Sequence, residues 1–194
     1  MIVMTEKLQE IVDELKITNA ETYYHSLHVK TLVFKMIKFM NREGITSYTP
    51  EEIDYICKGA ILHDVGKLGV ENVVLTKDSS LTPAEKIDML NHTSMGFEMI
   101  RDELSKAEYD IIKNICLYHH ERIDGKGYEG KINLPTYVQI VSICDVFDAL
   151  HTDRVYRKGL SYSETMRIIK DGGSGQFDKN IIECLEKVTY DSEE

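Results

Sequence analysis

Five helical segments of this sequence share one anomaly: an apolar, core-facing stripe that turns polar at one end. In the segment from about 50 to 67 the stripe is Ile53, Ile56, Cys57 and Ala60, and at helical spacing it continues into His63, Asp64 and Lys67. Around 106–120, Ile112, Ile115 and Cys116 run into His119, with His120 adjacent. Around 135–151, Val138 and Val141 lead to Asp145 and Asp148. Along 21–42 the stripe of Leu32 and Val29 turns polar towards the N-terminus at His28, His25 and Glu21, and His92 heads the stripe Met95, Gly96, Met99. A satisfied buried histidine or a helix cap explains any one of these. Five together need a compensating charge, because an unpaired buried carboxylate is strongly unfavourable. Imidazole with carboxylate is the ligand set of Mn, Fe or Zn, and bridging carboxylates suit paired ions. Of the seven histidines only His151 lies outside these clusters, and it reads as a surface residue.

The remaining pattern is also helical. Residues from about 4 to 16 place Leu8, Ile11, Val12 and Leu15 on one side, and further helices are expected over about 92–103, 162–171 and 178–188. Thr49-Pro50-Glu51-Glu52 and Thr82-Pro83-Ala84-Glu85 are helix starts, with Thr as N-cap, Pro at the first position and Glu closing a capping box. Ser161-Tyr162-Ser163-Glu164 is a weaker version. No period-2 strand ladder appears; Val70 to Leu75 reads as a short extended piece. Glycine marks loops at 124–127 and 171–175. The expectation is one all-α domain over 1–194 of about seven to nine helices, with the first twenty residues as a packing helix on its edge.

A net charge of −10 argues against a nucleic-acid polymer as partner, since a phosphate-backbone binder carries a basic face. A small anionic ligand is compatible with it if metal ions and a few Lys or Arg supply local positive charge. Cys57, Cys116, Cys144 and Cys184 stand singly in apolar stretches and read as free thiols in a reducing cytosol. With no signal-peptide core and no membrane-length apolar run, a cytoplasmic protein is expected, without a membrane partner.

At the ordered motifs the chain resembles a known family. His63-Asp64-Val65-Gly66-Lys67 is similar to the HDxGK signature of the HD superfamily of metal-dependent phosphohydrolases. His119-His120-Glu121-Arg122-Ile123-Asp124-Gly125-Lys126-Gly127-Tyr128 is similar to HHExxDGxGYP, the second signature of the HD-GYP subfamily. The resemblance continues through 145–150, 153–157 and 175–178. It implies metal ligands at His25, His63, Asp64, His92, His119, His120 and Asp145, with Asp64 as the bridge. Glu21, one turn before His25, resembles the extra glutamate of members that hold a third metal. Lys67 matches the lysine facing the substrate phosphate, and Tyr128, Arg154 and Arg157, with Asp148, are expected on the substrate side. The chain departs from the pattern in three places: Glu129 replaces the proline of GYP, the segment 130–135 is shortened, and His28 stands where arginine is common. The first two bear on substrate-loop geometry and partner docking, the third on the surroundings of His25.

The implied activity is hydrolysis of cyclic di-GMP to linear pGpG, and on to GMP where a third ion is held. The implied cofactors are two or three divalent transition-metal ions, iron or manganese foremost, with zinc or nickel as alternatives. Paired ions would activate a hydroxide for in-line attack on phosphorus, with Asp64 and Lys67 as the catalytic groups. Two alternatives stand beside this: a phosphohydrolase for another cyclic dinucleotide or nucleotide, and a catalytically weak cyclic di-GMP sensor or module docking a diguanylate cyclase (GGDEF) partner.

Overall fold

The structure is a computed structural model that describes residues 2–77, 79–153, 158–172 and 175–190. Within them the chain is helical and forms no strand ladder. α1 spans Glu6–Thr18, α2 Ala20–Arg42, α3 Pro50–Leu62, α4 Asn72–Leu75, α5 Pro83–Leu90, α6 His92–Ile100, α7 Tyr109–Tyr118, α8 Thr136–His151, α9 Tyr162–Gly172 and α10 Lys179–Tyr190. α4 is a single turn; the other nine helices have eight residues or more. Short 3₁₀ turns follow α3 at Val65–Gly69 and α6 at Arg101–Glu103.

Local chemistry explains these boundaries. Thr49 and Thr82 each form a capping box, with Glu52 and Glu85 bonding back to the cap amide and proline opening the helix. The segment 70–75, expected as extended, closes a helical turn, because the Glu71 carbonyl accepts the amides of Val74 and Leu75. Four residues are too few for a periodicity to declare itself.

Two apolar clusters hold the helices together. The larger joins Val29, Val33, Met36 and Ile37 of α2 to Ile56 and Ala60 of α3, Val141 and Cys144 of α8, and Ile181 and Leu185 of α10. In the second, Leu8, Val12 and Leu15 of α1 pack on Ile61, Leu62 and Val65, with Phe97, Ile100 and Ile112 behind them. α3 lies against both α2 and α7, and α2 also packs along α8. The ends of these helices therefore converge where the stripes turn polar.

Gly66 completes the arrangement. A Cβ placed there would stand 1.9 Å from the His92 carbonyl oxygen and 2.5 Å from the Gly96 amide nitrogen. Only a glycine lets the turn after α3 lie directly on α6, and this contact sets His92 beside Asp64. Four free cysteines are buried, and no helix among the described residues is long and apolar enough to cross a membrane.

Candidate metal centre

His25 comes from α2, His63 and Asp64 from the end of α3, His92 from the start of α6, His119 and His120 from the end of α7, and Asp145 from α8. Their ligand atoms form two groups. Asp64, His92, His119 and His120 make one and His25, His63 and Asp145 the other, with the atoms of each group within 4.8 Å of one another. Asp64 lies between them. Its Oδ1 is 3.3 Å from His92 Nε2 and 3.9 Å from His119 Nε2, and its Oδ2 is 3.4 Å from His63 Nε2. Asp64 thus turns one oxygen to each of the two imidazole groups.

Three histidines declare their tautomers. His63 Nδ1 donates to the Ala60 carbonyl at 2.9 Å, His119 Nδ1 to that of Ile115 at 3.0 Å, and His92 Nδ1 to that of Met89. A carbonyl only accepts, so Nδ1 carries a proton in each, and in His63 and His119, where burial disfavours a second proton, Nε2 keeps a lone pair aimed into the cluster. Yet buried His63 Nε2 and Asp64 Oδ1 have no hydrogen-bond partner. Orphaned buried acceptors are costly, and divalent cations held by the two groups would satisfy both. The donor set thus fits transition-metal ions.

Charges follow the same geometry. Burial opposes protonation of His25, but the hydrogen bonds it donates to Asp145 at 2.9 Å and Asp148 at 2.6 Å outweigh it and lift its pKa to about 9. Burial, reinforced by neighbouring imidazoles, pushes His119 well below its ordinary value. His120 falls to about 4, mainly through burial, and burial also depresses His63. For Asp64 burial acts upwards, but Lys67, His63 and His92 outweigh it and hold it well below the usual carboxylate range. Asp145 is depressed in the same way, by His25 foremost.

The other expected residues divide. Lys67 reaches Asp64 Oδ2 at 2.5 Å from the turn after α3 and is partly exposed. Asp148 sits behind His25, its Oδ1 accepting from Thr152 at 2.8 Å and lying 3.3 Å from His28. Tyr128 lays its ring 4.6 Å from that of His120, tilted by 32°. Burial raises its hydroxyl pKa to about 12, so it remains a phenol. Glu21 lies in the first turn of α2, after Asn19 caps the Thr22 amide, and belongs to neither ligand group. Arg154 and Arg157 fall outside the described residues. His151 is not a free surface residue: it is half-buried, with Nδ1 donating to the Leu160 carbonyl at 3.0 Å. Sequence reasoning missed Glu121, which is buried and accepts two main-chain amides. Its only signal was its place directly after the two histidines.

The HD domain family model matches residues 22–150. The chain is 32% identical over 174 residues to a cyclic di-GMP phosphodiesterase of Vibrio cholerae, covering 85% of this chain and 35% of that protein. It is 31% identical to a cyclic di-GMP phosphodiesterase of Thermotoga maritima, over 87% of this chain and 45% of that one. It therefore spans less than half the length of these curated relatives. Among solved structures it is similar to an HDG"Y"P protein from Bdellovibrio bacteriovorus, with a TM-score of 0.68, 21% identity, and coverage of 94% of this chain and 57% of that one. At that identity the likeness concerns the fold.

Proposed function

Because this chain belongs to the HD domain family, we propose that it is a metal-dependent phosphodiesterase that hydrolyses cyclic di-GMP to linear pGpG. The observation that carries the reading is Asp64, with one oxygen turned to each of two histidine groups and a neighbouring orphaned acceptor on His63. The names of relatives at 32% and 31% identity support the substrate.

In this reading His25, His63 and Asp145 would hold one ion and Asp64, His92, His119 and His120 another. When bound, such ions supply Lewis acidity and lower the pKa of water towards neutrality. Water replaces the 3′-oxygen on one phosphorus of the ring, leaving a 5′-phosphate and a 3′-hydroxyl. Lys67 offsets charge on the phosphate oxygens once it turns from Asp64. Asp148 orients His25. Arg154 and Arg157, by family resemblance, grip a phosphate or a guanine edge. We further propose iron or manganese as the ions and a cytoplasmic setting in which the buried cysteines stay reduced.

The test is metal analysis and a nucleotide panel on protein purified aerobically and anaerobically. Two ions per chain and conversion of cyclic di-GMP to pGpG are expected, with both lost in Asp64→Asn. Protein that stays metal-free after metal-replete anaerobic purification, or that ignores cyclic di-GMP while turning over another nucleotide, overturns the reading. A protein that binds cyclic di-GMP without cutting it is a sensor instead.

A further inference from the structure

Glu121 is only 2% exposed. Its Oε1 accepts the Glu129 amide at 2.6 Å and its Oε2 the Lys131 amide at 2.7 Å. The loop folds back onto it so closely that a Cβ on Gly127 would stand 2.5 Å from Glu121 Cα. The base of the loop is pinned as well: the amides of Ile123 and Asp124 donate to the carbonyls of Gln176 and Gly175 at 3.2 and 2.8 Å. Tyr128 is carried inside this closed loop. Its ring leans on His120 and stands edge-on to His92 at 6.4 Å, while the residue is 42% exposed. One side of the ring walls the metal centre, and much of the remainder is open to a ligand.

The residue-129 amide is available because Glu129 stands where the HHExxDGxGYP pattern has proline. Proline has no N–H and could not give Glu121 Oε1 its donor. We propose that Glu121 and the residue-129 amide form a clasp that fixes Tyr128 as a stacking wall for a nucleobase of the substrate. Glu121 is thus a positioning residue, acting through Tyr128. The inference rests on the proposed function only in taking the substrate to be a nucleotide.

Equilibrium dialysis of the metal-loaded chain against GMP and against ribose 5-phosphate, which lacks the base, isolates the stacking contribution. Wild type and Glu129→Ala, which keeps the amide, should hold GMP roughly tenfold more tightly than ribose 5-phosphate, the size of one base–aromatic stack. Glu129→Pro, Glu121→Gln and Tyr128→Ala should bring the two ligands to within about twofold, with metal content unchanged. A Glu129→Pro protein that keeps its metal and the full preference for GMP overturns the clasp, as does a wild type with no preference. Equal loss in Glu129→Ala assigns the effect to the side chain, and loss of metal assigns it to the metal centre; either result also overturns the proposal. Turnover of cyclic di-GMP by the wild type, measured alongside, reports on the proposed function alone.

Discussion

Asp148 holds His25 from behind: Oδ2 lies 2.6 Å from Nδ1, while Nε2 of the same ring faces Asp145 at 2.9 Å. His63, His92 and His119 use neutral main-chain carbonyls for the equivalent hydrogen bond. His25 alone of these four has a carboxylate there. A charged acceptor makes the imidazole a stronger donor to a metal than a carbonyl does, besides fixing its orientation.

Replacing Asp148 by Asn separates these two effects. The amide oxygen can still accept from Nδ1, so orientation is kept and charge is lost. Metal affinity should fall by about tenfold or more, within the range for partners of ligating histidines. Titration of the metal-free protein with Mn(II) measures this, and wild-type affinity in Asp148→Asn sinks the assignment.

The pKa values of the metal-free protein give a pH dependence with a definite sign. His25 is raised from 6.5 to about 9, so its contribution is complete below about pH 6.5 and is lost as pH rises through 9. Between those values the folded state keeps a proton that the unfolded state has released, and stability should fall by about 1.4 kcal/mol per pH unit. On the acid side His120, lowered to about 4, acts oppositely, and stability falls as pH drops below about 6.5. With His25 as a ligand, as proposed, metal loading would displace its proton and abolish the alkaline slope. Chemical denaturation of metal-free and loaded protein from pH 5 to 9 checks this; equal slopes above pH 7 would contradict it.

The candidate ligands were legible because burial and polarity conflict visibly in a helical stripe: Ile112, Ile115 and Cys116 demand a buried face, and His119 continues it. What joins the stripes was not. The place of Asp148 beside His25 depends on how α2 pairs with α8, which neither helix states alone. Glu121 looked like an ordinary acidic residue because its partners are main-chain amides, and any residue but proline offers one. The helix expected over 92–103 tightens to 3₁₀ after Ile100, a boundary that periodicity does not resolve.

Gly66 tests whether the metal centre depends on backbone contact between elements. Gly66→Ala drives a methyl into the His92 carbonyl and the Gly96 amide, neither of which can rotate away as a side chain would. The turn after α3 must lift off α6, at a cost of about 2 kcal/mol or more. The Tm of the metal-free protein should drop by roughly 4–8 °C. Metal affinity should weaken too, because His92 moves relative to Asp64. An unchanged Tm would show that the contact relaxes freely.

We propose that Glu21 separates one-step from two-step chemistry in the proposed reaction. It lies in the first turn of α2, four residues before His25, so the two share a helix face and can reach the same or adjacent ions. The competing explanation is local, since a carboxylate in a first helical turn is stabilised by the macrodipole. We propose the ligand role. A third ion held there would offset the charge of the terminal phosphate created by the first cut and so favour retention of the linear dinucleotide for a second. Glu21→Ala should then lose about one ion per chain, the expected consequence of removing a ligand. Linear pGpG should accumulate, with the first cut less affected. Metal analysis and chromatography of products over time measure both. Equal metal content and an unchanged yield of GMP would return Glu21 to the helix terminus, because the macrodipole acts on stability and leaves the order of cuts alone.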